Sequence, residues 1–262
     1  MTEVANVIAG REQPARSGAT FEKHRPADGA LLCRAARSDA DDVRAAVEAA
    51  RSAQVQWAAR TPVERGRLVR EIASVLDDRR DELADAVIAE TGKPRDLALG
   101  EVDAAVEMGF FVAGEGRRLY GRTTTSATPN RTVMAVRRPV GVGALIVSFN
   151  TPLPNYAWKA FPAVLCGNTA VLKPSEHTPA SATLFARIAN DILPPGVLNL
   201  VHGLGGEVGP PLVESADVEL VSFTGSAETG RWINEHAARR LAKVVLELGG
   251  KNALVVCDDA DV

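Results

Sequence analysis

The sequence predicts an α/β fold: a parallel sheet with flanking helices on both faces, preceded by a helical segment and a β-arm. Three observations carry that expectation. After Pro139, short strand-like runs alternate with helix-length segments, the pattern that winds a parallel sheet between two helical layers. The stretch Val221-Ser222-Phe223-Thr224-Gly225-Ser226-Ala227-Glu228-Thr229-Gly230 reads as a buried strand, a sharp glycine turn and the opening of a helix. Unpaired backbone N–H groups and the helix dipole favour a phosphate at such a turn. A helix length further on, Val244-Val245-Leu246 ends on Glu247-Leu248-Gly249-Gly250-Lys251-Asn252, which brings a carboxylate to the sheet rim, where ligands collect in such folds.

Residues 1 to about 38 are rich in Pro, Gly and Ala, with short apolar pieces such as Leu31-Leu32-Cys33, and suggest an extended lead-in with a strand or two. From Asp39 the period becomes helical: Val43, Ala46, Val47, Ala50, Ala53, Gln54 and Trp57 share a face, with Ser38 or Asp39 available as cap. A second helix opens at Thr61-Pro62, where proline's missing N–H costs nothing, and buries Leu68, Val69, Ile72, Val75 and Leu76. A third spans Asp81 to Glu90 and stops at Thr91-Gly92-Lys93-Pro94; a fourth runs from about Asp96 to Tyr120, with Phe110-Phe111 expected in the core. Gly121 to Asn130 reads as a threonine-rich loop, and Arg131 to Arg138 as a short strand that pairs outside its own domain.

Beyond Pro139 the expected strands are Gly143 to Val147, Thr169 to Leu172, Val197 to Val201, Glu219 to Phe223 and Lys243 to Leu246, with a further run at Ala253 to Val256. Helices are expected at about Asn155 to Cys166, Pro179 to Leu193, Glu207 to Glu214 and Ala227 to Arg239.

A formal charge of −3 supplies no electrostatic case for nucleic acid or an anionic membrane. No apolar run approaches the about 18 residues of a membrane span, and Met1 to Arg16 lacks the apolar centre of a signal peptide, so a cytoplasmic protein is expected. Cys33, Cys166 and Cys257 show neither a disulfide framework nor metal spacing; Cys166 and Cys257 read as small core hydrophobes. His24, His177, His202 and His236 are equally scattered, which favours surface or capping roles and no metal.

Two glycine motifs fall short of their standard forms. Gly203-Leu204-Gly205-Gly206-Glu207-Val208-Gly209 is one residue out of register with G-x-G-x-x-G, and Gly225 to Gly230 has P-loop spacing but Arg231-Trp232 where Lys and Ser or Thr would bind phosphate and magnesium. Four other motifs in order, Ser148-Phe149-Asn150-Thr151-Pro152, Leu172-Lys173-Pro174-Ser175-Glu176, Phe223-Thr224-Gly225-Ser226 through Gly230, and Glu247-Leu248-Gly249-Gly250-Lys251, resemble the amino-terminal half of an NAD(P)-dependent aldehyde dehydrogenase. The resemblance covers nearly the whole chain. It implies a Rossmann-like core at 140–262, an amino-terminal helical part of the same cofactor-binding domain at 1–120, and an arm at 121–139 that joins subunits of a homo-oligomer.

The family oxidises an aldehyde by cysteine attack, passes hydride to nicotinamide and hydrolyses the thioester. In that scheme Asn150 corresponds to the donor toward the developing oxyanion. Glu247 corresponds to the general base for thioester hydrolysis, a task that calls for a carboxylate partly withdrawn from water. Both are alternatively ordinary residues of their loops, Asn150 a turn asparagine and Glu247 an ion-pair partner. Lys173 and Glu176, with Ser175 between them, match the adenosine ribose site, where a carboxylate accepts from both hydroxyls and repels a 2′-phosphate; NAD is favoured and NADP stays open. Val147, Ser148, Phe149, Phe223, Thr224, Gly225, Ser226, Thr229, Gly230, Leu248 and Gly249 match the walls around nicotinamide and pyrophosphate, and Gly205 and Gly209 the adenine side. Phe149 departs from the tryptophan of many relatives and cannot donate to a phosphate.

The family's nucleophile stands in a Gly-Gln-x-Cys context that does not occur before Val262. The expectation is therefore a shortened piece of an aldehyde-oxidising enzyme, inactive alone. Its rivals are an NAD-binding fragment that docks on a full-length relative and a remnant that binds nothing.

Overall fold

A computed structural model of the chain describes residues 2–250 and 252–261; Lys251, within the Glu247 motif, lies outside them. The lead-in holds more strands than its composition suggests: β1 (Thr2–Val4), β2 (Asn6–Ile8), β3 (Arg11–Gln13), β4 (Thr20–His24) and β5 (Leu31–Ala36). Strands β1, β5 and β4 form a small sheet, whereas β2 and β3 extend the main one.

Four helices follow. Helix α1 (Ala40–Ala59) starts from a capping box in which Asp39 accepts the N–H of Asp42 and Asp42 accepts that of Asp39, an arrangement worth about 1 kcal/mol. Its buried stripe is Val43, Ala46, Val47, Ala50 and Trp57. Helix α2 (Pro62–Asp78) repeats the device with Thr61 and Glu64 and buries Val69, Ile72 and Leu76. Helix α3 (Arg80–Thr91) ends at Gly92, whose φ of 73° is the left-handed cap that glycine adopts without strain. Helix α4 (Arg95–Glu115) stops earlier than expected and turns Phe110 and Phe111 outward, at 36% and 63% exposure. That corrects their assignment to the core. The face of α4 that packs on α2 is made of smaller residues, and Gly109 lies so near Ala73 that a Cβ would meet its methyl at 2.6 Å.

The arm is a hairpin of β6 (Arg122–Thr125) and β7 (Thr132–Ala135), antiparallel and exposed throughout. The first of these replaces the expected loop, because a threonine-rich run becomes a strand once it has a partner. The core then alternates β8 (Val142–Ile146), α5 (Pro152–Leu165), β9 (Thr169–Lys173), α6 (Pro179–Ile192), β10 (Leu198–Leu200), α7 (Gly205–Glu214), β11 (Leu220–Gly225), α8 (Ala227–Ala238) and β12 (Lys243–Leu248). The sheet order is β12-β11-β8-β9-β10-β2-β3; the first five form the expected parallel sheet, and β2 and β3 extend it antiparallel at one edge into a mixed one. After β8 the chain proceeds outward through β9 and β10, then returns to lay β11 and β12 on the other side. Strands β8 and β11 thus flank a topological switch point, and the crevice beyond their carboxyl ends is where such sheets bind ligands.

Three further expectations are corrected. Residues Ala253 to Val256 form no strand and are exposed, since nothing among the described residues pairs with them. Cys166 and Cys257 are exposed and only Cys33 is buried, where loss of solvent pushes its thiol up to about 11. Cys166 caps the end of α5 one residue beyond its buried face. His202 is a core residue at 1% exposure, its Nε2 2.7 Å from Thr183 Oγ1, and burial drives its pKa down to about 3.

Candidate active site and cofactor crevice

The loop after β8 is held by its own polar groups. Ser148 Oγ donates to Asn150 Oδ1 at 2.5 Å, and Asn155 Nδ2, in the first turn of α5, faces Ser148 Oγ, Thr151 Oγ1 and Asn150 Oδ1 at 3.2, 3.3 and 3.4 Å. These contacts occupy the oxygen of the Asn150 carboxamide. Its Nδ2 is the end left to donate outward.

Asn150 borders a cavity of about 680 Å³ that also takes in Ser148, Phe149, Trp158, Lys159, Ser222, Thr224, Gly225, Ser226, Glu247, Leu248 and Gly249. Strand register explains the gathering: Thr224 pairs with Glu247 and Ser222 with Val245, so alternate side chains of β11 and β12 face the same side. Glu247 itself is exposed, against the expected partial burial, because β12 is the edge of the sheet and its face pattern is open there.

Lys159 is a site residue the motif reading missed. It is buried, its Nζ donates to Ser222 Oγ at 2.8 Å, and burial lowers its pKa to about 8 while Glu247 works in the opposite sense. The signal was in the sequence: Lys159 is the one charged residue of the apolar stretch Pro152–Leu165. Because burial disfavours the ammonium, the neutral amine gains as pH rises through about 8 instead of 10.5. Acylation of Lys159 by a small activated ester, followed by peptide mass spectrometry across pH, should show that midpoint; a midpoint at 10.5 would contradict the burial.

A second crevice, of about 600 Å³, lies on the other side of the Ser148 loop between α7 and α8. Val147, Ser148, Phe149, Lys173, Ser175, Glu176, Gly205, Gly209, Phe223, Thr224, Gly225 and Thr229 line it, together with Trp232, which the motif reading did not single out. Lys173 is 3% exposed and its Nζ sits 3.4 Å from Glu176 Oε2. Burial lowers the Lys173 pKa; burial also pushes Glu176 up, but Lys173, the backbone N–H of Glu176 and His177 together outweigh it and the carboxyl ends below its ordinary value. Phe149 packs edge-on against His177, with centroids 5.1 Å apart.

The glycines divide by role. A Cβ on Gly205, Gly206 or Gly209 would meet nothing within 4 Å, so those positions leave the crevice floor bare without relieving any protein contact. A Cβ on Gly225 would strike the Phe223 ring at 2.4 Å, and one on Gly230 the Leu248 side chain at 2.7 Å. Gly230 lines neither cavity; it lets α8 close on β12. Ser226 is the N-cap of α8, accepting the N–H of Thr229 at 3.2 Å. No group of His, Cys, Asp or Glu among the described residues is arranged to hold a metal ion.

A twisted sheet with a switch-point crevice, flanked by a glycine turn at a helix N-terminus, defines a Rossmann-like dinucleotide-binding class of fold. The sequence matches the aldehyde dehydrogenase family over residues 13–262, and the chain belongs to that family. It is 38% identical over 258 residues to an alpha-ketoglutarate semialdehyde dehydrogenase of Haloferax volcanii, covering 98% of this chain and 54% of that protein. Succinate-semialdehyde dehydrogenase (NADP+) of Escherichia coli K12 is 37% identical over 98% of this chain and 53% of its own length. The crystal structure of betaine aldehyde dehydrogenase from Staphylococcus aureus in complex with NAD+ superposes with a TM-score of 0.93 at 32% identity, covering 98% of this chain and 52% of that one. The chain spans about half the length of these relatives.

Proposed function

We propose that this chain is the cofactor-binding half of an oxidoreductase that converts an aldehyde to a carboxylic acid, with NAD+ as hydride acceptor. The observation that carries the reading is the switch-point crevice, in which the Lys173–Glu176 pair faces bare glycine positions and the α8 N-terminus. Those residues fit a dinucleotide: Glu176 accepts from ribose hydroxyls, the turn at Gly225 lets the backbone approach a pyrophosphate, and Gly205 and Gly209 leave room for the adenine end. When bound, the nicotinamide supplies the hydride-accepting carbon.

The chain's own groups then divide the remaining work. Asn150 Nδ2 donates to the aldehyde oxygen as negative charge develops there. Glu247 takes the proton of the water that hydrolyses a thioester whose sulfur comes from a cysteine outside these 262 residues, releasing the carboxylic acid and the thiol, and Lys159 adds a buried amine to the same cavity. The hairpin of β6 and β7, exposed on all its residues, pairs with another subunit of a homo-oligomer. No helix among the described residues is long and apolar enough to cross a membrane.

One observation favours a narrower second reading, an NAD-binding chain without catalysis of its own: none of the three cysteines lines the cavity that holds Asn150 and Glu247. Calorimetric titration with NAD and NADP tests the shared part of both readings. NAD should bind more tightly than NADP, and Glu176→Ala should narrow the difference. An unchanged preference in that variant would remove the ribose assignment.

A further inference from the structure

Helices α5 and α6 begin directly after the two loops described above, and both begin without a cap of their own. Each has proline in its first turn, Pro152 and Pro179, and neither preceding threonine, Thr151 or Thr178, caps with its side chain. At α6 the missing partners come from a distant part of the chain, and the loop before α5 is held from the same region. Glu90, 2% exposed near the end of α3, accepts the backbone N–H groups of Ala180 and of Ser181, the latter at 3.1 Å. Glu101, 8% exposed on α4, takes an ion pair from Lys93. Burial pushes the Glu101 carboxyl up, and Lys93 opposes that push; Glu101 Oε2 accepts no hydrogen bond among the described residues. Lys93 Nζ also donates to the backbone carbonyl of Asn150.

We propose that the corner where α3 meets α4 is a brace that positions both site loops at once, through Glu90 on the first turn of α6 and through Lys93, held by Glu101, on the loop before α5. At α6 a carboxylate satisfies donors the helix cannot, and before α5 the Lys93 ammonium, held by Glu101, fixes the Asn150 carbonyl; each sets the direction from which the chain enters. Here the entering segments are 173–178, with Lys173 and Glu176, and 148–151, with Asn150. Tyr156 Oη, hydrogen-bonded to Thr178 Oγ1 at 3.0 Å, ties the two helix starts together. Lys93, Glu90 and Glu101 are therefore positioning residues: each acts through a loop and lines neither cavity. The inference rests on the proposed function for the meaning of the loops, but its structural content stands apart from it.

The experiment uses the full 262-residue chain and two readouts. In amide hydrogen exchange without cofactor, Lys93→Met should speed exchange about tenfold at residues 149–151, leave 175–177 unchanged, and be rescued by Lys93→Arg, which keeps a donor. Glu90→Ala should do the reverse, with Glu90→Gln intermediate because its amide oxygen still accepts; Glu90→Gln serves alone if Glu90→Ala does not fold. The second readout is the ¹⁵N signal of the Asn150 side-chain amide, assigned by its loss in Asn150→Asp: it should broaden in Lys93→Met and return in Lys93→Arg. Uniform loosening of the whole chain, or unchanged loops in Lys93→Met and Glu90→Gln, would overturn the proposal. NAD titration of the same variants separates the two ideas. Absence of binding by the unaltered chain defeats the functional reading, while the exchange pattern still decides the brace.

Discussion

The 262-residue chain, purified alone, is expected to form no NADH from aliphatic or aromatic aldehydes when absorbance is followed at 340 nm. An oxyanion donor and a base cannot replace the covalent step, because hydride leaves from the adduct that a thiolate makes. Cys33 is buried with its thiol pushed up to about 11. Cys166 is exposed but lies in a groove beside the cavity, and burial of its surroundings raises its pKa despite Arg65 and Arg137. Cys257 stands in an exposed segment beyond β12. None has the activating neighbourhood that makes a cysteine a nucleophile. Turnover that disappears in Cys166→Ser or Cys257→Ser would contradict this and point to a relocated nucleophile.

The second large effect belongs to the chain joined to the carboxyl-terminal part of a relative. There Asn150→Ala should lower turnover by about 10²- to 10³-fold, the usual cost of one oxyanion donor, with NAD affinity little changed. Glu247→Gln should behave differently: hydride transfer continues for one turnover and hydrolysis stalls, so pre-steady-state absorbance shows a burst of NADH followed by a slow phase. A uniform loss of both phases would assign Glu247 to an earlier step, and unchanged steady-state turnover would remove it from the mechanism.

The core sheet was legible because strands buried on both faces read as short, mostly apolar runs without polar alternation, as in Val142–Ile146 and Thr169–Lys173, where every residue is buried. Helix starts were legible from Asp39 and from Thr61-Pro62, whose side chains cap as their types suggest. What failed had its cause far away in sequence. Strand β2 exists because Val7 pairs with Leu200, and β6 because β7 lies beside it. Phe110 and Phe111 face out because α4 is apolar on more sides than it can bury, so composition alone does not select its inner face. The same division runs through the site. Motifs singled out Asn150, Glu176, Gly225 and Glu247 as candidates, and for Asn150, Glu176 and Gly225 contacts with Ser148, Lys173 and Phe223 lie within a few residues. Lys159, Asn155 and Lys93 acquire their meaning only through Ser222, Ser148 and the Asn150 carbonyl, contacts that the fold creates.

The most direct measurement of the central claim is amide hydrogen exchange of the chain with and without saturating NAD. Protection is expected at 147–149, 173–176, 205–209 and 223–229, the walls of the crevice between β8 and β11, with the β6–β7 hairpin unaffected. Protection confined to another surface, or none in a chain shown to be folded, would contradict the assignment of this crevice as the cofactor site.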